Sequence, residues 1–365
     1  MLIRWLGVLI SFSSVLACAA PPIERLSLPP GFTISLYAED VPSARQLAVS
    51  PSGVVYAGSR GAGNVYAIVD ADGDHRADQV RTIARDLYMP SGVAFHGGAL
   101  YVAEVNQILR FEDIEADLAD PPKGAVIFDE LPSESHHGWK FIAFGPDGKL
   151  YIPIGVPCNI CPENDPYGTI SALDLETGAL EIYARGIRNS VGFDWFPETS
   201  DLWFTDNGRD WLGDDRPPCE INRARGAGLH FGFPYLHGTH IKDPEYGGKG
   251  GTRVFTPPVL NLQAHVAPVG MTFYQGEQFP ENYKNRLFVA EHGSWNRSRK
   301  VGYRVMMGTV DEQTKLVDYR PFVEGWLQGQ GTWGRPADIA TLPDGSIIIS
   351  DDQAGVIYRV TYQGT

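Results

Sequence analysis

The chain has 365 residues, 43% of them hydrophobic, and a formal net charge of -14. That apolar share is enough to fill a core, while the acidic surplus argues against nucleic acid or an anionic membrane surface, both of which need cationic protein surface. The length could hold two ordinary domains, but no Pro/Ser-rich linker divides it, and all-β folds of this size run as one domain.

Residues 1–19 read as an export signal, with an early Arg4, an apolar stretch too short to span a bilayer comfortably, and small residues ahead of Pro21-Pro22. Two processing routes are open. A lipoprotein-type signal over 1–17 makes Cys18 the lipidated first residue, whereas ordinary cleavage near Ala19 leaves no anchor. Either route puts the mature protein outside the cytoplasm, in the periplasm or lipid-anchored to a bacterial envelope. Any membrane contact then comes through the lipid alone.

From residue 27 to 365 one pattern recurs: a small polar lead-in, an apolar strand, a Gly-containing turn and a second apolar strand. The copies begin at Arg45, Pro90, His137, Arg188, Pro268 and Arg335. A period of about 40–50 residues built from short strands marks a β-propeller, in which four-stranded blades pack around an axis. Six copies predict an all-β, six-bladed β-propeller.

Between the first two copies, Asp70, Asp72, Asp74 and Asp78 alternate along a tight turn. With the carbonyl of Arg76 they would make a small structural Ca²⁺ loop, in which His75 stands where Gly is usual. After the third copy, Cys158 and Cys161 suit a short disulfide in an oxidising compartment better than a zinc half-site, which would need a second ligand pair. Cys219 is left as a free, buried thiol. Trp139, Phe141, Phe193, Trp195 and Phe196 read as packing between blades.

In a propeller the lead-ins of successive blades meet at the axis. Arg45, His137, Arg188, His265 and Arg335 would therefore share one cavity. Packed cations repel unless an anion lies among them, and the planar fork of Arg suits carboxylates. The strand exits add Arg60, Glu104, Asp206, Glu291, His292, Asp351 and Asp352 on the same face. The long loop from Asp206 to Glu220 offers hard oxygen ligands of the kind Ca²⁺ prefers.

The remaining motifs are His136-His137-Gly138, Gly186-Ile187-Arg188-Asn189, Asp206-Asn207-Gly208 ahead of Glu220-Ile221-Asn222, Glu291-His292-Gly293-Ser294-Trp295-Asn296-Arg297 and Gly334-Arg335-Pro336. Together they resemble the glucose/sorbosone dehydrogenase family of six-bladed propellers that use pyrroloquinoline quinone (PQQ) with Ca²⁺, above all its L-sorbosone and aldose dehydrogenase branches. The resemblance implies oxidation of a small-molecule sugar, with His137 as general base and Arg188 and Asn189 at the quinone oxygens. It also implies catalytic Ca²⁺ on the carbonyls of Gly208 and Arg209, and Arg335 on a PQQ carboxylate. A further cation comes from the fifth blade, where Arg297 matches better than Lys300. Arg45 joins the cofactor set from its place in the repeat. Arg209 stands where the soluble glucose enzymes have Pro, which leaves a carbonyl ligand intact but brings a guanidinium beside the metal. Electrons would pass to a separate acceptor, a cytochrome or quinone. The alternatives are a Ca²⁺-dependent lactonase or esterase, which wants Glu, Asn and Asp aimed at an axial metal, and a non-catalytic binding propeller.

Overall fold

The computed structural model describes residues 20–364, so the export signal, Cys18 included, lies outside the described residues. Six small antiparallel sheets form the six-bladed ring. The innermost strands run over Ala44–Val49, Gly92–His96, Ala143–Phe144, Phe193–Trp195, Pro268–Phe273 and Pro336–Thr341. Each begins at or close to the start of one of the six copies read from the sequence. No α-helix occurs among the described residues.

Each seam between neighbouring blades carries its own apolar cluster. Strand alternation builds these seams, because successive side chains point to opposite faces of a sheet. In blade six, Ile347 and Ile349 pack toward blade five while Ile348 packs toward blade one. The run is continuously apolar because both faces of the strand are buried.

Buried polar side chains then tie the innermost strands together. The Gln46 carboxamide accepts the amides of Val93 at 3.1 Å and Ile142 at 2.9 Å and donates to the Ile142 carbonyl, joining the first three blades. Asp338 accepts from Leu47 N at 2.8 Å, and Asp194 from Phe273 N at 2.8 Å, each bridging to the next blade.

The last blade is finished by the beginning of the chain. Phe32–Ala38 pairs antiparallel with Val356–Tyr362, in register from Phe32↔Tyr362 to Ala38↔Ile357, and closes the ring. The repeat pattern gave no sign of this closure. Between Glu220–Ala224 and Leu260–Asn261, the third and fourth strands of blade four, the chain adds Leu229–His230, a parallel edge strand on blade three, and a small hairpin, Leu236–His237 with Ile241–Lys242. These insertions account for the wide spacing of the fourth and fifth copies.

Phe32 is the buried end of the closing strand. Its ring lies 4.8 Å from that of Phe279 and 5.0 Å from those of Tyr283, Phe322 and Tyr362. Replacing such a ring by Ala leaves a cavity, so Phe32→Ala should cost about 3–5 kcal/mol in urea unfolding. A loss under about 1 kcal/mol would mean that the ring holds without this strand.

Candidate active site

At one end of the axis the blades enclose a well of about 530 Å³. Arg45, His137, Arg188 with Asn189, His265 and Arg335 all line it, together with Arg60, His136, Gly208, Asp210 and His292. The lead-ins meet there because each lies at, or a few residues before, the start of an innermost strand. The floor is apolar, with Val191, Ala267 and Val269.

Four guanidiniums share this well and only some of their charge is matched. Arg45 pairs with Asp352 at 3.3 Å, and His292 Nε2 lies 2.9 Å from the same carboxylate. Burial alone would raise Asp352, but Arg45 and then His292 outweigh it and hold the carboxyl well below its usual range. Burial lowers His292 to about 4, so its imidazole is neutral at physiological pH. Arg188 reaches Asp210 at 3.2 Å. Arg60 and Arg335 form no ion pair among the described residues: Arg60 lies 3.8 Å over the Trp139 ring, and Arg335 donates to the carbonyls of His292 and Gly293. The well therefore keeps a positive excess.

His137 is fixed by its other nitrogen. Nδ1 lies 2.8 Å from the Val156 carbonyl, which can only accept, so Nδ1 carries the hydrogen and Nε2 the lone pair. Burial, followed by the charges of Arg188 and His136, drives its pKa from 6.5 to about 2. Gly155 makes room for it, since a Cβ there would stand 2.7 Å from His137 Cβ. The result is a neutral base whose Nε2 has no hydrogen-bond partner among the described residues.

A residue that the sequence reading missed holds Arg188. Asn159, between the bonded Cys158 and Cys161, accepts Arg188 Nε on its carbonyl and Nη2 on its Oδ1, both at 2.9 Å. The same Oδ1 accepts Asp210 N at 2.8 Å, and Nδ2 donates to the Asp210 carbonyl at 3.1 Å. The disulfide thus closes the loop that clamps both Arg188 and its counter-ion. Only the Cys spacing hinted at that loop. Cys219 is free and buried, as expected.

Other expectations need correction. Arg297 does not line the well: its guanidinium turns to the Asp214 carbonyl and to Asp215 at 3.1 Å, because the loop after Asp210 folds back against it. The neighbouring Trp295 and Asn296 line the well instead. The Arg209 side chain is drawn aside by Asp243, at 2.6 Å. Trp139 is a wall of the well and also packs against the apolar cluster between blades five and six, while Phe141, Phe193 and Trp195 pack between blades as expected.

Most of the exit acids also turn away from the well. Asp206 accepts the amides of Arg188 at 2.9 Å and Asn189 at 2.7 Å, Asp351 accepts Arg335 N at 2.8 Å, and Glu104 accepts Tyr88 N. In these blades the acid ending the second strand grips the lead-in of the first. Glu291 instead pairs with Arg304 at 2.7 Å. In the acidic turn of blade one, only Asp70, Asp72 and Asp78 bring carboxylate oxygens within 4.8 Å of one another. Asp74 is used by Arg76 N at 2.8 Å, and the Arg76 side chain pairs with Glu39. His75 takes the left-handed conformation there, at φ 70°.

The donor set suits a planar polyanion. Besides the unpaired cations, Arg45 Nε and Asn189 Oδ1 are buried without partners. Gly208 lines the well, and neither its carbonyl nor that of Arg209 accepts a hydrogen bond among the described residues. The Gly208 carbonyl is therefore free for a hard cation at the well, while Arg209 is not among the residues that line it.

A family model described as Glucose / Sorbosone dehydrogenase matches residues 159–359. An uncharacterized protein of Borreliella burgdorferi is 34% identical, over 96% of this chain and 94% of its own. Among solved structures, the calcium structure of a Trichoderma reesei carbohydrate-active enzyme of family AA12 superposes with a TM-score of 0.78, at 18% identity over 93% of this chain and 97% of that one. The holo form of the pyranose dehydrogenase PQQ domain from Coprinopsis cinerea gives 0.77, at 16% identity over 92% and 97%.

Two measurements check this geometry. In ¹⁵N NMR the His137 ring should stay neutral as pH falls from 8 to 5, because its folded pKa of about 2 lies below that range; a midpoint near 6.5 would contradict the assignment. Asn159→Ala strips acceptors from a buried guanidinium and should lower stability by about 1–3 kcal/mol. An unchanged urea midpoint would show that the clamp is dispensable.

Proposed function

The chain belongs to the glucose/sorbosone dehydrogenase family, and on that basis we propose that it oxidises an aldose- or sorbosone-type sugar with PQQ and Ca²⁺ bound in the axial well. The observation that carries this reading is the neutral His137, with Nε2 free, standing in one cavity with four guanidiniums. PQQ would supply an ortho-quinone able to accept hydride, and Ca²⁺ a charge that polarises it.

The chain's own residues then have distinct tasks. Arg45, Arg335 and Arg60 would offer N–H donors to carboxylate and quinone oxygens, and Arg188, whose Nε and Nη2 are held by Asn159 and Asp210, would offer its remaining Nη1 hydrogen. Asn189 adds an amide beside Arg188, and the Gly208 carbonyl would hold the metal. His137 Nε2 takes the hydroxyl proton of the sugar as hydride leaves the same carbon, so that C–OH becomes C=O. Burial and Arg188 disfavour the imidazolium, which helps it shed that proton afterwards. Arg297 is left out of this set.

A hydrolase built on an axial metal has less support. Asp210 and Asp352 are paired with arginines, and Asp206 and Asp351 are taken by backbone amides. The Cys158–Cys161 bond supports an oxidising compartment and agrees with the export signal. The proposal therefore places the protein in the periplasm or on a lipid anchor, passing electrons to a cytochrome or quinone.

Reconstitution tests the reading. Purified protein given PQQ and Ca²⁺ should show the bound quinone absorbance and oxidise aldoses with a dye acceptor. His137→Ala should lower turnover by ~10²–10⁴ and leave PQQ affinity nearly unchanged. Absence of any quinone binding would overturn the proposal, and equal loss of binding and turnover would remove His137 as the base.

A further inference from the structure

Of the Phe, Tyr and Trp side chains among the described residues, only Tyr88, Trp211 and Trp295 are exposed, at 42%, 70% and 65%. Two of them, Trp295 and Trp211, stand together at the well. Trp295 lines it, Trp211 follows the lining residue Asp210, and Tyr88 precedes the lining residue Met89. Large apolar side chains left in water around one opening mark a binding surface.

Trp211 and Trp295 are also arranged. Their ring centroids lie 5.6 Å apart with planes at 82°, so the pair forms a corner, one ring edge-on to the other. Trp211 holds φ at 72°, in the left-handed region that bulky residues avoid. Its loop is riveted to the one that carries Trp295: Asn296 donates to Asp210, Arg297 to the Asp214 carbonyl and to Asp215, and Ser298 N to Asp214 at 3.1 Å. Arg297, which does not reach the well, thus has a place in the structure as one of these rivets. The corner is set before any ligand arrives.

We propose that this corner binds a sugar ring outside the well, so that the substrate is an oligosaccharide whose terminal unit enters the well while the next unit packs on Trp211 and Trp295. The inference rests on the sugar dehydrogenase reading and narrows its substrate class. A pyranose presents a face of C–H groups that suits the electron-rich face of an indole, and its hydroxyls stay at the edge, in water or on polar neighbours. Two rings at a right angle match a ligand of ring size. A protein partner would need about 800 Å² of matched surface, far more than two indoles offer.

The test needs no cofactor. Cellobiose, maltose and their trisaccharides are titrated into the purified protein alongside glucose, with tryptophan fluorescence and calorimetry as readouts. At least one oligosaccharide should bind about tenfold more tightly than glucose and quench the emission. Trp211→Ala and Trp295→Ala should each remove most of that preference, while Trp211→Phe keeps part of it. Circular dichroism and the urea midpoint should not move, since both side chains are exposed.

Equal affinity for glucose and every oligosaccharide, or a preference that survives both Ala variants, would overturn the inference. So would variants that slow turnover only with a protein electron acceptor and not with a dye, because the corner would then be a docking point. The two readings fail separately. Oligosaccharide binding without oxidation by PQQ-loaded protein would sink the dehydrogenase and leave the corner standing. Oxidation with no oligosaccharide preference would sink the corner alone.

Discussion

Gathering four guanidiniums from three blades into one partly buried hole is the constraint on which the rest of this molecule turns. Burial lowers the pKa of both Arg45 and Arg188, the mark of cations placed where water solvates them poorly. Two carboxylates, several main-chain carbonyls and an indole face offset part of that cost, but Arg60 and Arg335 are left without a counter-ion. A site held in this state is organised in advance for negative charge. It can persist only if the surrounding scaffold does not relax, because any loosening would let the arginines drift apart into solvent.

The scaffold resists relaxation by using the same device in several blades. The acid that ends the second strand accepts amides at the lead-in of the first, as Asp206 does for Arg188 and Asn189 and Asp351 does for Arg335. These carboxyls are buried, and desolvation raises both to about 6, so the backbone amides have to carry much of their stabilisation. The side chain of the lead-in residue is thereby aimed at the axis by its own backbone. Asn159 adds a second grip on Arg188 from the disulfide loop. Ring closure by Phe32–Ala38 makes these local grips mutually consistent, since an open ring could let blades one and six separate beside Arg45 and Arg335.

The ring was legible because its signal is periodic: six lead-ins, six hairpins, and apolar runs such as Ile347 to Ile349 that face two seams. Lead-in side chains were legible for the same reason, and Arg45, His137, Arg188, His265 and Arg335 do share one well. What could not be read was anything set by the path of a loop. Arg297 and Trp295 are two residues apart, and only the fold of residues 210–215 sends one away from the well and leaves the other beside it. Asn159 carries no periodic mark, and its role depends on a disulfide that turns it back toward Arg188. The exit acids were placed on the correct face, but whether a carboxylate points at a cavity or at a backbone amide is a matter of one rotamer, below the resolution of a repeat pattern.

A net charge of -14 around a cationic well looks contradictory until the distances are considered. Exposed charges are screened beyond about 8 Å at physiological ionic strength, so the acidic exterior acts weakly on a ligand already at the mouth. Inside the well the guanidiniums are partly buried and nearest to the ligand, so screening is weaker and they dominate. Farther out, the same exterior repels anions rather than steering them inward. An anionic cofactor, as proposed for this well, would then be captured by short-range contacts within it, which favours slow release over fast association. A neutral sugar feels neither field strongly, so its selection falls to shape and to the aromatic surface at the opening. On the proposed reading the two tasks are separate in space, with charge inside the well for the cofactor and the indole rings of Trp211 and Trp295 beside it for the sugar.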